Sequence, residues 1–281
     1  MAAAVVRAKN RLRSALLRAV FRLLRLVPTP LYERLKRMPR LRATSRRLLD
    51  AALPSSGLSV VTIESGPIGG LEFELQPRTN KDMAVGRYEP SLTHAIEDVV
   101  NEGDVCFDVG AHLGYTTLVM ATGVGPAGKV VAFEPDPQLF GPLLRNAVRN
   151  LGPLAPIVPV PAAAGRTSGR CSFRHGDSTG MGRIDDSGGD LTVRMISLDD
   201  AADAYGDPDL IKLDVEGAEV EALEGATAIL ERGRSTFLIE AHSRILEDRC
   251  RRLLDHFHYQ VDHLDAAREE TSHLLARPAR V

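Results

Sequence analysis

From Asp104 onward the sequence alternates short apolar runs, rich in Val, Ile and Phe, with longer amphipathic stretches. Strand-period segments that mostly alternate with helix-period ones leave few architectures open. Parallel strands need crossover connections, and a sheet buried on both faces needs helices on both sides. The pattern predicts strands over 104–109, 129–134, 157–162, 191–198, 209–213, 236–241, 259–264 and 271–275. Helices are expected over 91–101, 115–122, 137–150, 219–231 and 245–256. Ahead of them, 58–64 and 71–75 read as a β-hairpin turned by Gly66–Gly70, and the Gly-rich patch 165–189 reads as irregular. The expected fold class is therefore α/β: a Rossmann-like, mostly parallel sheet with helices on both faces.

The chain has 281 residues, 44% apolar and 26% charged, which excludes disordered and fibrous classes for most of its length. Its three cysteines, Cys106, Cys171 and Cys250, are too widely spaced for a disulfide framework or a zinc knuckle, and fit a reducing compartment. No run of uncharged apolar residues is long enough to predict a membrane-spanning helix.

Charge is unevenly distributed. Residues 1–50 carry 14 Lys/Arg against two acids, net +12, whereas the other residues sum to −14. Up to Val27, Arg7, Arg11, Arg18, Arg22 and Arg25 recur at helical spacing opposite Leu12, Leu16, Val20, Leu23 and Val27. Pro28 ends that helix; a second is expected through Met38 and a third over Leu41–Leu53. The Pro54–Gly57 stretch marks a boundary, giving a basic helical arm over 1–53 and a catalytic domain over 54–281. An opposed Arg stripe and apolar stripe suit an anionic membrane surface, although a helical cap on the domain and a transit segment fit the same residues. Interleaved aromatics are scarce in the arm, which argues against nucleic acid. The expected location is cytoplasmic, peripheral to the inner face of a membrane.

Two strand ends carry nucleoside chemistry. In Val105–Tyr115 a buried strand runs into a loop with Asp108, Gly110, Ala111, His112 and Gly114. The spacing departs from G-x-G-x-x-G, and a carboxylate at the strand end would repel a pyrophosphate but attract an ammonium group. That favours the amino-acid part of S-adenosylmethionine over a nicotinamide dinucleotide. Glu134 closes the next strand, where a carboxylate accepts hydrogen bonds from two ribose hydroxyls. Asp136, ahead of Pro137, serves equally as a ribose contact or a helix cap.

The most distinctive stretch is Lys212-Leu-Asp214-Val-Glu216-Gly-Ala-Glu219. Alternation along a strand would put Lys212, Asp214 and Glu216 on one side, and Glu240 and His242 repeat the pattern one strand later. Buried charges of this kind are costly unless paired or functional. Lys212 also reads as a buried ion-pair partner, and Glu219 as a first-turn carboxylate favoured by the helix dipole. Carboxylates suit magnesium or calcium, but nothing in the spacing calls for a metal and none is assigned. The remaining histidines, among them His175 and His273, receive no role.

These motifs, in this order and together with Ile196-Ser-Leu-Asp199 and Phe237-Leu-Ile-Glu240, resemble the FkbM family of S-adenosylmethionine-dependent methyltransferases over roughly residues 58–264. The resemblance implies a seven-stranded sheet with its last strand antiparallel. It implies a methionyl site at Asp108, Gly110, Ala111, His112 and Gly114, and a ribose contact at Glu134. Lys212, Asp214 and Glu216 would line the reaction site, where a hydroxyl of a sugar, glycolipid or natural product receives the methyl group. Family members often carry Asn at the position of His112. Asp214, Glu216 and His242 are the general-base candidates, with Asp214 first. A nicotinamide-dependent oxidoreductase is the first rival, but Tyr88, Tyr115, Tyr205 and Tyr259 have no lysine four residues on. A non-catalytic protein that has kept the nucleoside site is the second.

Overall fold

The computed structural model describes residues 19–28, 31–32, 34, 57–152, 154–176, 182–185, 188–265 and 271–279. The chain forms two compact units, 1–88 and 89–281, so the hairpin expected to open the catalytic domain groups with the first unit. That unit holds the antiparallel strands β1 (Ser59–Thr62) and β2 (Glu72–Leu75) and a short helix α1 (Lys81–Ala84). Gly86 sits at φ +73°, and a Cβ there would lie 1.8 Å from the Ser65 carbonyl oxygen, so only glycine fits this return of the chain.

Residues 19–25 are helical, and they are tied to the rest of the first unit. Phe21 is buried, the Arg87 guanidinium donates to the carbonyls of Arg25 (3.0 Å) and Val27 (2.6 Å), and Arg25 donates to the Glu64 carbonyl at 3.1 Å. A cation on the last carbonyls of a helix is the arrangement that satisfies them. Phe21 is the buried side chain of this stretch, Val20, Leu24 and Val27 are half-buried, and Leu23, expected in the apolar stripe, stays exposed with Leu26. The other expected arm helices lie, for the most part, outside the described residues.

The second unit begins with α2 (Pro90–Val99), followed by β3 (Val105–Val109), α3 (Tyr115–Val124), β4 (Lys129–Phe133), α4 (Pro137–Arg149) and β5 (Ile157–Val160). Next come β6 (Ala162–Ala164), β7 (Gly169–Arg174), β8 (Arg183–Ile184) and β9 (Leu191–Ile196). Helix α5 (Leu198–Tyr205), β10 (Leu210–Leu213), α6 (Glu219–Glu224), α7 (Thr227–Arg232), β11 (Thr236–Ala241), α8 (Arg244–His256), β12 (Tyr259–His263) and β13 (Ser272–Pro278) complete it. Seven strands form one sheet in the order β12-β13-β11-β10-β3-β4-β5. Only β13 runs antiparallel to its neighbours, as the family resemblance implies. The chain reverses direction across the sheet between β3 and β10, the switch point where open α/β sheets bind ligands.

Alternation splits the strands between two cores. Phe107, Val109, Val131, Phe133, Ile211, Leu213, Phe237 and Ile239 pack with Ala201, Leu223, Leu230 and Leu254 from α5 to α8. On the other face, Ala132 packs with Leu143 and Phe140 of α4. Each fully buried Phe contributes about 1.5–3 kcal/mol. Three sequence expectations are corrected. The strand at 157–162 breaks after Val160, and β6 joins β9, β7 and β8 in a separate four-stranded sheet that includes part of the patch read as irregular. The strand at 191–198 ends at Ile196, because Ser197 caps α5 by accepting from the Asp200 N–H. The helix at 219–231 is interrupted at Gly225, where a Cβ would meet the Gly165 carbonyl oxygen at 2.1 Å.

Candidate active site

The site residues gather at the C-terminal ends of β3, β4, β10 and β11. Asp108 and Lys212 are register partners on adjacent parallel strands, and neither is accessible to solvent. Lys212 Nζ lies 3.3 Å from Asp108 Oδ1 and 3.3 Å from Asp214 Oδ2, and donates to the Gly110 carbonyl at 2.8 Å. Burial alone would lower its pKa, but Asp108 and Asp214 outweigh that and hold it above the ordinary lysine value. The second oxygen of Asp108 accepts from Thr116 (2.8 Å) and Thr117 (2.6 Å) in the first turn of α3. Asp108 is therefore buried among protein partners, where it neutralises Lys212 and anchors α3. Lys212, expected at the reaction site, is likewise the centre of a buried ion-pair group.

The loop after β3 has three residues in left-handed backbone, Gly110 (φ +79°), His112 (φ +54°) and Gly114 (φ +89°). Internal packing by itself requires both glycines. A Cβ on Gly110 would lie 1.7 Å from the Asp214 carbonyl oxygen, and one on Gly114 would lie 2.6 Å from Leu143 Cδ1. Histidine, with Asn and Asp, is among the non-glycine residues that enter this backbone region most readily, so His112 fits it. The Gly110 and Ala111 N–H groups both donate to the Phe133 carbonyl, fixing the loop against β4.

Glu134, just past β4, is buried, and accepts the His112 N–H at 2.8 Å and the Asp136 N–H at 2.9 Å. Burial pushes its carboxyl up to about 7, against those two backbone donors, which favour the ionised form. A carboxylate offers about four acceptor positions, so about two remain for a ligand. Asp136 is instead occupied by the protein. Its Oδ1 caps α4 by accepting from the Gln138 N–H at 2.8 Å, and its Oδ2 meets His175 Nδ1 at 2.8 Å. The helix-cap reading of Asp136 fits this geometry, and His175 gains a structural partner that the sequence did not reveal.

The remaining acids surround His242. Strand β10 ends at Leu213, so Asp214 and Glu216 lie in the following turn rather than on the strand. Glu216 adopts φ +52°, a region that costs a non-glycine residue about 1–3 kcal/mol, and this turns it back toward His242. His242 Nε2 lies 3.3 Å from Glu216 Oε2, 3.6 Å from Asp214 Oδ1 and 4.0 Å from Glu240 Oε1, while Nδ1 meets Glu219 Oε1 at 2.8 Å. Burial would lower the imidazole pKa, but these carboxylates raise it to about 9. Burial raises Asp214 and Glu216 above the usual carboxylate range. For Glu240 burial acts the same way, but His273 at 3.4 Å, with help from His242, holds it below that range. Glu240 and His273 face each other across the β11–β13 register. A cation would fit among such oxygens, yet the protonated imidazole already supplies compensating charge at their centre, and no metal is assigned. Glu219 and His273 are the participants that spacing missed.

A family model described as the methyltransferase FkbM domain matches residues 108–271. The chain belongs to the FkbM methyltransferase domain family. The matched span of this FkbM domain runs from Asp108, near the end of β3, to Thr271, just ahead of β13, and includes the site residues above except His273. A curated relative, the hexuronic acid methyltransferase AglP of Haloferax volcanii, is 28% identical over 163 residues, covering 57% of this chain and 64% of the relative. The FkbM chain thus spans less than two thirds of that relative's length. Among solved structures, an FkbM methyltransferase from Methylobacillus flagellatus aligns at 17% identity over 70% of this chain and 52% of that one, with a TM-score of 0.47. An S-adenosylmethionine-dependent O-methyltransferase from Thermotoga maritima aligns at 14% identity over 75% of both chains, with a TM-score of 0.45. The fold assignment rests on the strand order itself.

Proposed function

We propose that this chain is an S-adenosylmethionine-dependent O-methyltransferase acting on a hydroxyl of a sugar, with hexuronic acid units of glycans or glycolipids as the first class to test. The observation that carries the reading is that Glu134 and His242 both follow C-terminal strand ends, of β4 and β11, on the same edge of one sheet. One is a carboxylate with spare acceptor capacity for a nucleoside; the other is a basic imidazole set among acids. The relative's hexuronic acid activity supports the choice of acceptor class.

The donor set fits the cofactor. Glu134 would take the ribose hydroxyls, and the loop 110–114, clamped to β4, would border the methionyl part. When bound, the cofactor supplies an electrophilic methyl group. An alkyl hydroxyl is a poor nucleophile and must lose its proton as the new bond forms. In the neutral form of the ring, whose share grows as pH rises toward 9, His242 Nε2 takes that proton, and the carboxylates of Asp214, Glu216, Glu219 and Glu240 stabilise the imidazolium that results. Asp214 is the weaker base because Lys212 holds its Oδ2. The test is incubation with the cofactor and hexuronic-acid oligosaccharides, followed by mass spectrometry for a methyl increment and for S-adenosylhomocysteine. Neither product, from folded protein and a panel of sugars, would refute the reading.

The first unit carries a partner proposal. Leu23, Leu26 and Leu31 are 66%, 71% and 47% exposed beside the exposed Arg22 and Arg25, within a segment of net charge +12. Apolar side chains rimmed by arginines suit an anionic leaflet, where each basic group adds about 1 kcal/mol. We infer peripheral attachment to the cytoplasmic face of a membrane, which would bring lipid-linked sugars to the site. Among the described residues no helix is long and apolar enough to cross a membrane.

A further inference from the structure

We propose that Glu219 is a positioning residue that holds His242 in the one tautomer able to accept the acceptor hydroxyl's proton; this deepens, and rests on, the methyl-transfer reading above. A glutamate opening a helix ordinarily faces solvent, where the helix dipole favours it. Glu219, the first residue of α6, is 0% exposed. Placing a carboxylate there is costly unless it is well bonded. Its Oε1 accepts the Gly217 N–H at 2.8 Å and meets His242 Nδ1 at 2.8 Å.

That contact dictates the proton's position. An ionised carboxylate has no donor, so Nδ1 must carry the hydrogen. In the neutral ring Nε2 is then bare, and Nε2 is the atom turned toward Asp214, Glu216 and Glu240 at the sheet's edge. During transfer the substrate O–H bond breaks and an Nε2–H bond forms. The Nδ1 proton stays in place, and the resulting imidazolium later returns the Nε2 proton to solvent. Glu219 touches neither substrate nor reacting oxygen; it acts through His242. The groups facing the ring are Asp214 and Glu216 from the turn after β10, Glu219 from α6 and Glu240 from β11. Among the described residues, Glu219 is the nearest of them and the only one that meets Nδ1.

The test is nitrogen-15 histidine NMR of the full chain through a pH titration, with the pH profile of kcat in parallel. In the wild type His242 is expected to titrate near 9 and to show the Nδ1–H tautomer above that pH. Glu219→Gln keeps size and hydrogen-bonding capacity but loses the charge, so the titration and the acid limb of kcat should both fall by about 1–3 pH units. Glu219→Asp, which keeps the charge, should restore part of the shift. In a His242→Gln background Glu219→Gln should change kcat no further. An unmoved His242 titration and tautomer in Glu219→Gln would overturn the proposal, as would an equal loss of kcat in both backgrounds. If no sugar is methylated, the NMR arm still decides: a shifted titration supports the Glu219–His242 pair and leaves the methyl-transfer reading to fail alone.

Discussion

Asp108 and Lys212 stand directly opposite each other on adjacent parallel strands, with Oδ1 and Nζ 3.3 Å apart and both residues closed to solvent. Breaking a buried pair by removing one partner typically costs about 3–5 kcal/mol, because the other charge is left uncompensated. Lys212→Met is therefore expected to destabilise the fold by about that amount, read as a lower urea midpoint with an unchanged slope. Asp108→Ala should do the same while also releasing Thr116 and Thr117 of α3. A pair that mattered only for cofactor binding would leave both midpoints at the wild-type value.

The main sheet was legible because its signals are local. Strand-period and helix-period segments alternate, and a parallel sheet is what such a chain can bury. The second sheet was not. Strands β7 and β8 are exposed or half-exposed along most of their length and come from a glycine-rich stretch, so they lack the apolar run that marks a buried strand. At the site, the residue types at the strand ends were readable, but their partners were not. Asp108 reads as a ligand carboxylate, and its spacing gives no sign that Thr116, Thr117 and Lys212 are its partners. Glu219 looks like a solvated first-turn acid until α6 folds it onto His242. Both depend on contacts between elements distant along the chain.

A ribose contact at Glu134, as proposed, predicts a pH dependence for cofactor binding. With its carboxyl at about 7, the group is protonated below that pH and loses acceptor capacity for ribose hydroxyls. Affinity for S-adenosylmethionine should thus weaken as pH falls below 7, approaching about tenfold per unit, and level off above it. Glu134→Gln should bind about 10- to 150-fold more weakly at pH 8 and show no such slope. Calorimetry at several pH values checks this; a parallel slope in the variant would place the titrating group elsewhere.

His242 and Asp214 divide the expected loss of turnover. His242→Gln removes the proton acceptor and should lower kcat by about 10²- to 10⁴-fold while leaving cofactor affinity near wild type. Asp214→Asn removes one of the four carboxylates around the ring and should cost less. Steady-state kinetics with a methylated sugar product read both, and a larger loss in Asp214→Asn would make Asp214 the base.

Attachment to membranes is checked by co-sedimentation with vesicles containing phosphatidylserine, at low and high salt, for the full chain and for Leu23→Glu with Leu26→Glu. The full chain should pellet at low salt and be released by high salt, as counterions screen the arginines. The double variant should pellet less. Equal binding by both proteins would mean that the exposed leucines take no part.

The most direct measurement follows an isotopically labelled methyl group from S-adenosylmethionine into a hexuronic-acid oligosaccharide. The account predicts a labelled methyl ether on a ring hydroxyl, formed in equal amount with S-adenosylhomocysteine and reduced strongly in His242→Gln. Label that never reaches the sugar, from wild-type protein that binds both the cofactor and the oligosaccharide, would contradict it.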